Sequence, residues 1–197
     1  MAKEFKTIKG KNYYLKSRKT KKGNTTYYMT GKLDEVCLNE VPKGYEVFEK
    51  YDLGVLYIRR EKISKFSKKD IAIIEKELKK CSSIDGYLID VHGEEIKIYT
   101  VENADGTNSL INNYLNISLN KDKILVARNS LLRYEERLKI NFQDNNDFKG
   151  FEVMRYCYRG SVDDWIVIDA GEDLKELAEK NIFHLGKESY FNLYRIR

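Results

Sequence analysis

The stretch Asp85–Val101, Asp-Gly-Tyr-Leu-Ile-Asp-Val-His-Gly-Glu-Glu-Ile-Lys-Ile-Tyr-Thr-Val, constrains the chain most. Apolar and polar residues alternate on both sides of a central glycine. That period of two belongs to a half-buried strand, and the glycine permits the positive φ that a tight hairpin loop needs. Taking His92-Gly93 as the loop sets the register by counting outward. Val91 then faces Glu94, Asp90 faces Glu95, Ile89 faces Ile96, and Leu88 faces Lys97. Tyr87, Ile89, Ile96 and Ile98 share a core face. Asp90, Glu95, Lys97, Leu88 and Tyr99 share the other.

Around this hairpin the pattern predicts an α+β fold, with antiparallel hairpins forming one or two sheets packed by two to four helices. Tyr13–Lys19 and Thr25–Thr30 flank Lys22-Gly23-Asn24 and read as one hairpin. Tyr45–Tyr51 and Val55–Arg60 flank Asp52-Leu53-Gly54 and read as another. Ser67–Cys81 is the clearest helix. Ser67 and Asp70 make a capping-box variant, and Ile71, Ile74, Leu78 and Cys81 fall on one stripe. Short helices are expected over Leu110–Leu115 and Asp122–Tyr134, with Ile124–Ala127 alone equally a strand, strands over Arg137–Phe142 and Phe151–Arg159, and a last helix over Glu172–Asn181. Residues 1–11 read as a flexible basic arm, and residues 12–197 as a single domain with a sub-domain boundary near 61–66.

Charge is unevenly spread. Residues 1–22 hold nine Lys or Arg against one acid, Glu4, although the whole chain is only +5. Such a basic end attracts polyanions. Lys9, Lys11, Lys16, Arg18, Lys19, Lys21 and Lys22 supply charge for phosphates, and Tyr13, Tyr14, Tyr27 and Tyr28 supply ring faces for unpaired bases. The leading expectation is a non-catalytic module that binds nucleic acid or protein on this basic, Tyr-rich sheet. A protein-interaction or structural role without nucleic acid is the third reading. No apolar window reaches membrane-span length, and no secretory leader is evident. Three well-separated cysteines, Cys37, Cys81 and Cys157, suit reduced thiols. A cytoplasmic protein without membrane partners is expected.

Elsewhere chemistry-bearing residues are sparse. Asp163 and Asp164 precede the sole Trp, Trp165, at a turn, where they either shape the turn or bind a metal, while Trp165 anchors the core. His92 reads as a turn residue and His184 as a packed one. No resident cofactor is expected.

Two acids and a lysine on paired strands, preceded by a helix, resemble the PD-(D/E)xK nuclease core. The resemblance rests on Glu95-Ile96-Lys97 for the E-x-K element, Asp85 or Asp90 for the upstream acid, and Glu75 or Glu77 for the helix acid. It implies a Mg²⁺-dependent nuclease in which Asp90 and Glu95 hold the metal and Lys97 orients or activates the attacking water. Ile84 stands where that family has proline. Separately, Lys-Thr-Lys-Lys-Gly-Asn with Val-Pro-Lys-Gly-Tyr-Glu, and Arg-Gly-Ser-Val-Asp-Asp-Trp, resemble a family of uncharacterised small bacterial proteins. That resemblance implies one integrated domain and carries no activity.

Overall fold

A computed structural model describes residues 2–102, 105–106, 109, 127–159 and 161–194. The fold is α+β, with three antiparallel sheets rather than the one or two expected. Its contacts define two compact units, Met1–Glu61 with Asn103–Arg133, and Lys62–Glu102 with Tyr134–Arg197. The Leu110–Leu115 helix expectation lies outside the described residues. Of the Asp122–Tyr134 helix, residues 127–131 are helical, and Tyr134 already begins a strand.

In the first unit β1 (Glu4–Lys6), β2 (Asn12–Lys19) and β3 (Thr25–Thr30) form one sheet in that order, and β4 (Tyr45–Lys50) pairs with β5 (Val55–Arg60) in a second. Both hairpins arise where runs rich in tyrosine and β-branched residues are broken by a glycine of positive φ, Gly23 and Gly54. The basic start is not a free arm. Glu4–Lys6 pairs with Asn12–Tyr14, and Thr7 is buried in the connection, its hydroxyl accepting the Lys11 N–H at 3.0 Å. Leu15 is fully buried beneath the three-stranded sheet.

In the second unit β6 (Tyr87–His92), β7 (Glu95–Val101), β8 (Tyr134–Asp144), β9 (Lys149–Arg159) and β10 (Val162–Gly171) form a five-stranded meander. Helices α1 (Lys68–Lys80) and α2 (Leu174–Ile182) pack with one face of it. Ser67 caps α1 as its sequence requires: its hydroxyl accepts the Asp70 N–H, and the Asp70 carboxylate accepts the Ser67 N–H. Asp173 caps α2 the same way, accepting from Lys175 and Glu176. Ile74, Leu78, Ile96, Ile98, Leu138, Val153, Leu177 and Ile182 form the core between helices and sheet. Removing this apolar surface from water is the main driving force for the unit.

Two close features complete this core. Gly186 (φ +74°) follows α2 and passes so near Ser83 that an added Cβ would lie 2.1 Å from the Ser83 carbonyl oxygen. Arg155 is 4% exposed on β9. Its guanidinium donates to the carbonyls of Leu193 (2.6 Å), Phe191 (3.0 Å) and Tyr156 (3.0 Å). Those carbonyls satisfy a buried charge that would otherwise be costly, and they tie the short 3-10 helix Glu188–Asn192 to the sheet.

Candidate functional site

The β6–β7 hairpin forms, but its loop is Gly93-Glu94 rather than His92-Gly93. Gly93 has φ +62° and Glu94 has no positive φ, so glycine takes the first loop position, as in II′ hairpin loops. The loop carbonyls are engaged, with Gly93 accepting from Lys65 N–H and Glu94 from Phe142 N–H, both at 2.8 Å. The register is therefore His92 with Glu95, Asp90 with Lys97, Ile89 with Ile98 and Leu88 with Tyr99. Moving the loop by one residue slides the pairing by two. Side chains alternate with period two, so each face keeps its expected members while every cross-strand partner changes.

The expected opposition of Asp90 and Glu95 does not exist; each acid meets a basic or imidazole residue instead. Lys97 Nζ lies 3.2 Å from Glu95 and 3.6 Å from Glu136 of β8. A register irregularity after Ile98 sets Glu136 opposite Tyr99, whose hydroxyl donates to it at 3.5 Å. Lys139 completes the cluster at 3.5 Å from Glu136. Burial works against the Lys97 charge, but Glu136 and Glu95, with Asp90 behind them, outweigh it and hold its pKa above the ordinary lysine value. Such a lysine is a fixed cation and a poor proton acceptor near neutrality. This face is also not simply wet: Tyr99 is buried, and the Glu136 and Lys139 side chains are under one-fifth exposed.

The remaining acids of the nuclease resemblance do not join this cluster. Asp85 precedes β6, five residues before Asp90, or about 16 Å along an extended chain. Glu75 pairs with Lys79 at 3.6 Å, and Glu77 is buried with Lys80 at 2.7 Å. Among the described residues no group of three His, Cys, Asp or Glu is arranged to hold a metal ion. Beside the hairpin loop, a cavity of about 520 Å³ opens between Lys62, Lys65, His92, Asn141 and Gln143.

Trp165, expected in the core, is absent from it. Tyr156 opposes Trp165 on β9 and β10, and both lie on the face away from the helices. Asp163 and Asp164 are strand residues of β10 rather than turn residues. His184 is packed, its Nδ1 2.8 Å from the Ser189 hydroxyl, and burial then Lys187 lower its pKa.

In the first unit the register divides the expected nucleic-acid residues. Tyr13 and Tyr27 share the face of buried Leu15, and the Tyr27 ring meets Tyr45 edge-on at 4.9 Å. Tyr14, Lys16, Arg18 and Tyr28 occupy the opposite face, with Lys16 directly across from Tyr28. Two of these are engaged internally. Tyr14 donates to Glu4 at 3.1 Å, and Lys16 pairs with Asp34, whose carboxyl is held below the usual range by that bond. Arg18 lies over the Tyr28 ring at 5.8 Å, and Tyr28 is 41% exposed. Lys19, Lys21 and Lys22 are exposed at the hairpin tip, and no described acid pairs with them. Lys9 and Lys11 lie before β2, at its other end. The alkyl chain of Lys9 covers Gly54, and its charge faces buried Glu49.

Sequence reasoning missed Asp34, Glu136 and Lys139. Asp34 comes from an irregular connector and Glu136 from a register irregularity, neither of which leaves a periodic signal. Lys139 belongs to a strand that was expected, but its neighbours on the sheet depend on two registers at once.

The described helices include none long and apolar enough to cross a membrane. No family model, no curated protein and no solved structure matches the chain.

Proposed function

We propose that the first unit binds single-stranded nucleic acid along the β2–β3 hairpin. The observation that carries this reading is the Arg18–Tyr28 pair beside three exposed lysines with which no described acid pairs. Arg18, Lys19, Lys21 and Lys22 are exposed at one end of the hairpin, and Tyr28 offers a ring on the same sheet face as Arg18. Lysines at the tip track phosphates without regard to sequence, while a guanidinium-backed tyrosine stacks an unpaired base. A duplex would hide its base faces from Tyr28, so single strands suit this surface better. Lys16 and Tyr14 serve as framework, since Asp34 and Glu4 already hold them.

The test is anisotropy of a labelled oligo-dT or oligo-U strand titrated with the full chain. Binding weakens as salt rises, and replacing Arg18, Lys19, Lys21 and Lys22 together by alanine abolishes it. No binding at low salt would overturn the reading.

A further inference from the structure

The face of the five-stranded sheet away from the helices carries a row of rings that the proposed function does not use. Tyr158 and Tyr156 have centroids 4.5 Å apart, and Tyr156 meets Trp165 edge-on at 5.5 Å and 89°. The Lys139 ammonium lies 4.1 Å from the centre of the Trp165 ring. Glu136 sits 3.5 Å from the same ammonium. The inner end of the row is thus a ring and a carboxylate holding one lysine.

The outer end repeats those two parts. Asp163 lies directly across from Tyr158, on the same face. Tyr156 donates its hydroxyl to Asp163 Oδ1 at 2.9 Å, which fixes both the ring and the carboxylate. Asp163 keeps that phenol protonated, pushing its pKa up to about 12. Tyr158 is 81% exposed. Among the described residues no lysine or arginine pairs with Asp163, while Asp164 lies on the opposite sheet face across from Cys157 and accepts the Trp165 N–H at 2.7 Å.

We propose that this outer end docks a lysine side chain presented by a basic segment of a partner protein. An ammonium over Tyr158 is attracted by the ring face and neutralised by Asp163, as Lys139 is by Trp165 and Glu136. Charge selects this occupant. The Asp163 carboxylate on this face repels phosphate, so a nucleic acid is disfavoured here, and a purely apolar partner would strand Asp163 without a counter-charge. The site is independent of the β2–β3 hairpin.

The experiment titrates the full chain into a labelled peptide alternating lysine and serine, and into the same peptide with its lysines acetylated. The lysine peptide binds and the acetylated one does not. Tyr158→Ala and Asp163→Asn each weaken binding roughly 2- to 5-fold, the range for one exposed cation–π contact or one charge pair. Tyr158→Phe retains it, which separates the ring from the hydroxyl. Lys21→Ala with Lys22→Ala leaves it unchanged. Because Tyr158 is exposed, its variants keep the wild-type circular dichroism and melting temperature. Equal binding of the acetylated peptide, or indifference to both Tyr158→Ala and Asp163→Asn, overturns the proposal. So does a self-dimer, seen by sedimentation, that Asp163→Asn dissolves, because the occupant would then be a second copy.

Discussion

Asp90 stands directly across from Lys97 on the β6–β7 pair, so the carboxylate approaches an ammonium already shared by Glu95 and Glu136. Lys97 therefore neutralises a local excess of acid and is itself held charged by it. Its environment is that of a structural ion cluster, partly withdrawn from water, more than of a group poised to lose a proton.

Lys97→Met tests this directly. Removing the shared cation takes from Glu95, Glu136 and Asp90 the ammonium they have in common, while Lys139 stays with Glu136. Stability falls by roughly 1–2 kcal/mol, between the values for exposed and buried pairs. The wild-type contribution also has a defined pH window. The folded pKa of Lys97 is raised, so its stabilisation is complete below the ordinary lysine pKa and is lost as pH rises through the higher folded value. Urea unfolding near neutrality and in strong base, compared between wild type and Lys97→Met, reads both effects. A variant as stable as wild type near neutrality contradicts the shared-cation account.

Glu49 makes the opposite test in the first unit. Burial raises its pKa against the pull of the Ile8 N–H, which it accepts at 2.9 Å, and of Lys9. Its other oxygen is buried without a hydrogen-bond partner among the described residues. A carboxyl raised in the folded state binds more protons folded than unfolded across that interval. Its contribution is therefore present below the ordinary Glu value and lost as pH rises through the folded one. Glu49→Gln, which still accepts from Ile8, flattens this decline. Stability measured from about pH 4 to pH 7 in both proteins gives the difference. Parallel curves would show that Glu49 titrates as it does in the unfolded chain.

Gly186→Ala should be among the most damaging single changes. The positive φ disfavours any side chain, and the new methyl would be driven into the Ser83 backbone. A loss of roughly 3 kcal/mol is expected, visible as a clear fall in melting temperature. Gly23→Ala is the control. Its φ is also positive, but nothing lies near its Cβ, so only the backbone cost of roughly 1 kcal/mol remains.

The two parts of the nucleic-acid surface separate by salt. Lys21→Ala with Lys22→Ala lowers the slope of log affinity against log salt by about 1.4, the share of two single-strand phosphates. Tyr28→Ala weakens binding by roughly 1–3 kcal/mol and leaves the slope alone, because stacking releases no counterions. If both variants change the slope equally, Tyr28 acts through the lysines and not as a stacking platform.

What could be read in advance follows from which interactions are periodic. Ser67 with Asp70 and the Ile74–Leu78 stripe are local, and α1 forms where they place it. The hairpin faces were legible even though its loop was misplaced, because parity survives a two-residue slide. Partner identity did not survive it: Asp90 was assigned to Glu95 and meets Lys97. Trp165 looked like a core anchor because large rings are usually buried, yet its register with Tyr156 directs it to the far face. The start of the chain looked mobile because charge dominates its composition, while three backbone pairings and buried Thr7 hold it.

Arg155 has a consequence for the order of assembly. It belongs to β9, an interior strand, but two of its three acceptors come 36 and 38 residues later. During synthesis from the N-terminus, β9 emerges while those carbonyls are still unmade. Its guanidinium must stay hydrated until Phe191 and Leu193 arrive, so the sheet cannot close over that position early. The Phe191–Leu193 segment is thus the one that licenses this part of the sheet to become dry.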